Sequence, residues 1–185
     1  MMPRALLLPT YHHMLRALGA WLDKAATERP DDAEALLLAR LAPDMFPLAT
    51  QVRFACVQAL EGMARIRGAT LPHLATVLLE EGRNAENRPG SLADAQARIA
   101  ETLAVIAQQA DDAGDVDPAS AIAHQLPSGM IFDFTAEQYA RDWALAQFYF
   151  HIMAAYAILR HEGVGLGKID YVGHLLPHVR PPAPA

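Results

Sequence analysis

Residues 135–161 read TAEQYARDWALAQFYFHIMAAYAILRH, and this stretch decides the fold class. Thr135 and Gln138 have the spacing of a capping box, and Phe134 before the cap can pack on Tyr139 as a hydrophobic staple. Apolar side chains then recur at helical spacing on two faces, so other elements must cover most of the helix. A helix from Thr135 to about His161 is roughly 39 Å long. The stretch therefore predicts the central helix of an all-α bundle.

Two more long helices are predicted in the first half of the chain. The first begins near Thr10, carries an apolar stripe at intervals of three and four, and ends before Pro30. The second follows Asp44, whose side chain is of a type that often caps helix N-termini. It ends at Gly68, because glycine commonly terminates helices. Both patterns are typical of helices that bury one face.

A third long helix and two weaker elements are predicted between the second helix and the last. Ser91 and Asp94 have capping-box spacing, and the helix that follows ends near Gly114. Leu74–Glu81 predicts a short helix before it. The mixed residues that follow Gly114 contain Ser128-Gly129, a turn signal that indicates a short hairpin before the last helix.

Composition limits the classes of function that are open to this chain. Its 185 residues are 52% hydrophobic with a formal net charge of −6, which predicts one domain, residues 1–185, with a disordered tail from about residue 179. The sequence has no stripe of basic residues of the kind that would indicate a nucleic-acid partner. The apolar runs are too short to span a membrane and no secretory signal is evident, so we expect a cytoplasmic protein. The lone Cys56 predicts a buried core residue.

Three segments that contain glycines or histidines suggest motifs that their positions do not support. Residues 163–168, GVGLGK, follow a helix, whereas a phosphate-binding glycine loop precedes one. Gly163 is therefore predicted to end the last helix. His12-His13 are adjacent and point in different directions on a helix, so we expect surface residues. His174 and His178 are four apart, but the intervening Pro177 does not favour a helical metal pair.

Two blocks of the sequence carry a family resemblance. One is LAPDMFPL at residues 41–48 with Gln51, and the other comprises FYFH at 148–151, AYAILRH at 155–161, Gly163-Val164 and LGK at 166–168. From about Tyr11 to Gly173, the chain resembles an uncharacterised bacterial family of domains of unknown function, nineteen ninety-three in that series. That family is similar to the DinB/YfiT-like metalloenzymes. The resemblance implies a four-helix bundle with a long crossover that commonly forms homodimers.

The resemblance also implies where a metal would bind. In the wider superfamily, one histidine on the second helix and two on the last helix, four residues apart, often hold a metal. The matching positions here are Gln51, His151 and Ala155. Alanine has no donor atom, and an amide is a weak ligand for zinc or nickel. We therefore expect a degenerate site with no cofactor; if zinc or nickel does bind, His151 and Gln51 are the expected ligands.

His151 and Gln51 are the predicted ligand-binding residues, and no catalytic residue is assigned. Two polar side chains in an apolar lining are typical of a small-molecule site, whereas a histidine bonded to another helix in the core is the structural alternative. The leading hypothesis is a DinB-like helical protein that binds a small molecule or a partner. The alternatives are a metal- or thiol-dependent transferase or hydrolase that uses His151, and a purely structural role in subunit association. Whether the protein is an enzyme stays open.

Overall fold

Helices form most of the structure. The computed structural model describes residues 2–111 and 116–180. The α-helices in this part of the chain are α1 (Pro3–Glu28), α2 (Leu48–Ile66), α3 (His73–Asn84), α4 (Leu92–Asp111), α5 (Ala136–Gln138), α6 (Leu145–His161) and α7 (Lys168–Val172). The remaining elements are strands β1 (Ala121–Gln125) and β2 (Ile131–Thr135), the 3-10 helices Ala33–Leu38 and Gly173–His178, and the π-helical segment Tyr139–Ala144.

Helix α2 lies at the centre, where it packs against α1, α3, α4 and α6. These helices cover it so fully that even its polar residues Thr50, Gln51 and Arg53 are buried. Arg53 Nε donates to Glu81 Oε2 of α3 at 3.3 Å, and Arg98 Nε of α4 donates to the same oxygen at 3.2 Å. A buried charge is tolerated when it is paired in this way. The shared carboxylate thus links α2, α3 and α4.

The start of the last helical run agrees with the sequence prediction. Gln138 N donates to Thr135 Oγ1 at 3.2 Å and Thr135 N donates to Gln138 Oε1 at 2.9 Å, so the capping box is complete. Phe134 contacts Tyr139 with ring centroids 6.1 Å apart, which confirms the staple. The π-helical segment that joins α5 to α6 was not predicted, because hydrophobic period does not distinguish one widened turn from an α-helical one.

Three weaker predictions between α2 and α5 are also confirmed. The short helix α3 contains the predicted Leu74–Glu81 and extends beyond it at both ends. Asp94 N donates to Ser91 Oγ at 3.0 Å, and Ser91 N donates to Asp94 Oδ2 at 2.8 Å, which completes the second capping box. Strands β1 and β2 pair antiparallel on either side of the turn at Ser128-Gly129, where Gly129 has a φ of 86°.

Two predicted helix starts are wrong. Helix α1 begins at Pro3, not near Thr10, because a proline at the first helical position loses no hydrogen bond and Pro9 is accommodated inside the helix. Thr10 Oγ1 instead donates to the Leu6 carbonyl at 2.8 Å within the helix. Asp44 does not cap α2, since Pro47 occupies the N-cap position without any side-chain bond. Asp44 is left free to face a cavity.

The remaining sequence predictions concern Cys56, membrane-spanning helices, the end of α4 and the C-terminal tail. Cys56 is fully buried on α2, as predicted. Within residues 2–111 and 116–180, no helix is both long enough and apolar enough to cross a membrane. The predicted helix end near Gly114 lies outside the described residues, as does the predicted disordered tail from residue 181 onward.

The segment after α6 returns to α1 and is bound there. Gly163 has a φ of 89° and ends α6, as predicted. Gly165 N donates to Glu28 Oε2, and Gly167 N donates to Asp170 Oδ2, each at 2.7 Å. Trp21 Nε1 donates to the Asp170 carbonyl at 3.1 Å. The amides of Gly165 and Gly167 thus already donate to carboxylates of the same chain. This agrees with the prediction that residues 163–168 are not a phosphate-binding loop.

Helix α1 packs closely on α2 where the Tyr11 ring lies against Gly62. A Cβ atom at Gly62 would overlap with Tyr11 Oη and lie 3.0 Å from Cζ. We expect Gly62→Ala to lower the free energy of unfolding by about 1–3 kcal/mol, because overpacking forces the helices apart. Urea unfolding of the variant would measure this change.

The Tyr11 hydroxyl is buried and has no hydrogen-bond partner among the described residues. Tyr11→Phe should therefore be close to neutral alone, since no bond is lost. In the double variant, Tyr11→Phe should also reduce the loss of unfolding free energy that Gly62→Ala causes. Equal costs in both backgrounds would contradict the close approach of these two residues.

Candidate functional site

His151 of α6 and Gln51 of α2 form a hydrogen-bonded pair between the two helices. The distance from His151 Nδ1 to Gln51 Oε1 is 2.9 Å. Gln51 Nε2 donates to the Phe46 carbonyl at 3.1 Å, which fixes the orientation of the amide. Because the amide oxygen can only accept, Nδ1 must carry the imidazole proton. In the neutral ring, Nε2 is therefore left with its lone pair available.

Burial keeps the His151 ring uncharged. The side chain is 8% exposed, and desolvation lowers the pKa of His151 from 6.5 to about 4. The rings of Phe54 and Phe150 lie edge-on to the imidazole, each with its centroid 5.4 Å from that of His151. These apolar neighbours supply no charge that would stabilise an imidazolium. His151 is thus a neutral hydrogen-bonding group near pH 7.

A cavity of about 460 Å³ opens beside this pair, and we call it the His151 cavity. Its size is within the range of ligand pockets. The lining combines apolar side chains with a few polar groups and comprises Asp44, Met45, Phe46, Gln51, Phe54, Val57, Gln58, Leu79, Phe150 and His151.

The sequence predicted two polar residues of this cavity, Gln51 and His151, but missed Asp44, Gln58 and most of the apolar wall. Asp44 was interpreted as a helix cap, and it lines the cavity instead. Phe54 and Phe150 lie one helical turn or less from Gln51 and His151, so helical spacing could have suggested them. Met45 and Phe46 lie in an irregular loop whose path no periodic pattern reveals.

The donor set at this site does not suit a resident zinc or nickel ion. Ala155, at the third position implied by the family resemblance, is fully buried and offers no donor atom. Gln51 Oε1 already accepts the hydrogen bond from His151. Across residues 2–111 and 116–180, no group of three His, Cys, Asp or Glu side chains lies close enough to hold a metal ion. A single imidazole nitrogen is a weak anchor for these metals.

The other candidate groups lie away from the His151 cavity. Cys56 is fully buried, and desolvation raises the pKa of its thiol to about 12, so it is no nucleophile near neutral pH. His13 is exposed, and His174 stacks on it with ring centroids 4.9 Å apart, a contact that the sequence did not suggest. His124 of β1 is buried against Trp143, with ring centroids 4.7 Å apart.

The fold of this chain is similar to that of a DinB family member. A crystal structure of a DinB family member protein from Shewanella denitrificans has a TM-score of 0.72 and 35% sequence identity, covering 95% of this chain and 94% of that chain. Residues 5–172 match the family described as a domain of unknown function, DUF1993. This chain belongs to the DUF1993 family, as the sequence resemblance implied. No curated protein of known function matches it.

Acidification should destabilise the protein through His151. The unfolded histidine has a pKa near 6.5, whereas burial lowers the native value to about 4. Between these values the unfolded chain binds a proton that the native state excludes, so stability falls as the pH is lowered. This one group should contribute about 2 kcal/mol of loss between pH 7 and pH 5.

Urea unfolding at the two pH values would measure this loss. The His151→Phe variant should lose correspondingly less stability on acidification, because the titrating group is gone. His161→Phe is the matched control, since His161 is exposed at the end of the same helix. The same pH dependence in the parent protein and in His151→Phe would rule out a buried neutral imidazole.

Proposed function

We propose that this protein binds a small organic molecule in the His151 cavity, with His151 Nε2 accepting a hydrogen bond from the ligand. The observation that supports this is the His151–Gln51 pair in the wall of a largely apolar cavity. Apolar lining supplies binding free energy, and a small number of fixed polar groups supplies orientation. Gln51 acts as a positioning residue because it holds the proton on Nδ1.

In this function, a hydrogen bond between the ligand and His151 takes the place of a bound metal ion. We infer that the ancestral metal centre has been lost, because two of the three implied ligand positions hold Gln51 and Ala155. A metal- or thiol-dependent transferase or hydrolase that uses His151 is the second interpretation of the family relationship. We favour binding over that interpretation because Cys56 is buried with a raised thiol pKa and the described residues hold no group of three His, Cys, Asp or Glu side chains that could bind a metal ion.

We further propose the finer features that the family relationship implies. In this interpretation α1, α2, α4 and α6 are the four helices of one bundle, and the connection through β1 and β2 is the long crossover. The whole chain would be a single cytoplasmic domain without a nucleic-acid partner. The outer face of α6 exposes Phe150 and Met153, at 60% and 41%, and we propose that a second copy of the chain covers them.

The proposed homodimer can be tested by sedimentation equilibrium. We expect a dimer at micromolar concentration for the parent protein. Met153→Glu should shift it towards monomer, because the introduced carboxylate would be desolvated at the interface. Arg141→Glu, at an exposed position before α6, is a control that should stay dimeric. A monomeric parent protein would contradict the proposed homodimer.

The hydrogen bond to His151 can be tested with two probes that differ in one donor. β-Naphthol carries a hydroxyl proton that Nε2 can accept, whereas β-naphthyl methyl ether does not. We expect saturable binding of both and about fivefold tighter binding of the alcohol, as one hydrogen bond contributes about 1 kcal/mol. Fluorescence titration of each probe would measure the two affinities.

His151→Phe should abolish the preference for β-naphthol, since a planar aromatic ring stays at this position and the acceptor is lost. His161→Phe makes the same substitution outside the cavity and should leave the preference intact. Circular dichroism would show that both variants are folded. If neither probe binds, or if His151→Phe leaves the preference unchanged, the proposed function is wrong.

A further inference from the structure

A second cavity adjoins the His151 cavity and has been assigned no role so far. It has a volume of about 760 Å³ and lies between α2, α3 and strand β1. We call it the distal cavity and define it by Glu61, Arg65, Arg83 and His124. Val57, Gln58 and Leu79 line both cavities. The two cavities therefore adjoin at these shared side chains, and we call them together the groove.

Helix α2 runs along the floor of this groove. Gln51 lies at the end with the His151 cavity, and Arg65 lies at the end with the distal cavity. At 1.5 Å per residue, the fourteen-residue separation spans about 21 Å. On the α3 wall, Arg83 follows Gly82, whose carbonyl accepts from Thr50 Oγ1 at 2.8 Å, so Arg83 lies nearer the Gln51 end of α2 than the Arg65 end.

The charges along the groove are unevenly distributed. Asp44 places a carboxylate at the His151 end. In the distal cavity, Arg65 Nε lies 3.4 Å from Glu61 Oε1, so these two charges largely compensate each other. Arg83 is exposed at the end of α3, and no acidic side chain among the described residues pairs with it. An uncompensated guanidinium thus lies on the α3 wall of the groove.

The remaining groups of the distal cavity add polarity without charge. His124 is buried, and desolvation lowers its pKa, with smaller opposing effects from Glu61 and Arg65. Gln58 is half-buried at the junction, and Gln147 of α6 lines the opposite wall. Among the described residues, the distal cavity thus offers amide groups and the unpaired guanidinium of Arg83, whereas the His151 cavity is mostly apolar.

We propose that the ligand of this groove is an organic acid, with an apolar body in the His151 cavity and an anionic end at Arg83. This inference rests on the proposed function and adds the chemical class of the ligand. The opposite orientation would place the anion near Asp44, where like charges repel. A carboxylate, sulfonate or phosphate end would satisfy the guanidinium, which binds all three oxyanions.

Phenylhexanoate and its uncharged isostere phenylhexanamide test the anionic end directly. Both carry the same phenyl body and linker, so only the terminal charge differs. We expect calorimetric titration to show about three- to fivefold tighter binding of the acid at low salt, the effect of one solvent-exposed ion pair. The preference should decrease as salt is added, because exposed charges are screened.

Arg83→Gln should remove the preference for phenylhexanoate and leave the affinity for phenylhexanamide unchanged. Arg88→Gln is the matched control: Arg88 is also exposed but does not line the groove, so this variant should retain the parent preference. Together these results would support an anionic ligand end at Arg83.

Different experimental results would contradict the inference about Arg83 and the proposed function. If both compounds bind equally in the parent protein, or if Arg88→Gln abolishes the preference as Arg83→Gln does, the inference about Arg83 is wrong and the His151 cavity stays a binding site. If neither compound binds at millimolar concentration and the naphthyl probes also fail, the proposed function and this inference are both wrong.

Discussion

The burial of α2 is the constraint on which the rest of the structure depends. Because four helices cover much of α2, the polar side chains that are buried on it must find partners within the protein. Thr50 Oγ1 donates to the Gly82 carbonyl of α3 at 2.8 Å, Arg53 pairs with Glu81, and Gln51 binds His151. Each bond ties α2 to a neighbouring element. The His151–Gln51 pair is one of these bonds, and its geometry is therefore fixed by the packing of the core.

The parts of the fold that could be predicted are those with local causes. The capping boxes at Thr135 and Ser91, the hairpin turn at Gly129 and the end of α6 at Gly163 each depend on residues a few positions apart. Helix starts that depend on tertiary context were missed. Helix α1 begins earlier than its apolar stripe indicated because proline is tolerated at the first helical position and Pro9 is accommodated inside the helix. Asp44 faces a cavity that the local sequence does not show.

The candidate site marks a clearer limit of sequence-based prediction. Gln51 and His151 are one hundred residues apart in the chain, so no periodic pattern could pair them, and only the family resemblance placed them together. The cavity around them also needs the loop at Met45 and Phe46, which has no regular structure. The distal cavity and the free charge of Arg83 depend on how three elements pack. Such features emerge from the assembled fold and from no single segment.

The bond between Trp21 and the Asp170 carbonyl has a consequence for folding kinetics. It closes a loop of 149 residues, whereas the pairing of Arg53 with Glu81 closes one of 28. Closure of the longer loop costs about 1.5 kcal/mol more chain entropy. Contacts of such long range slow folding, because their entropy is lost before they stabilise the chain. The two ends of the molecule should therefore join late, after the central helices have assembled, and the indole ring of Trp21 lies where that last event occurs.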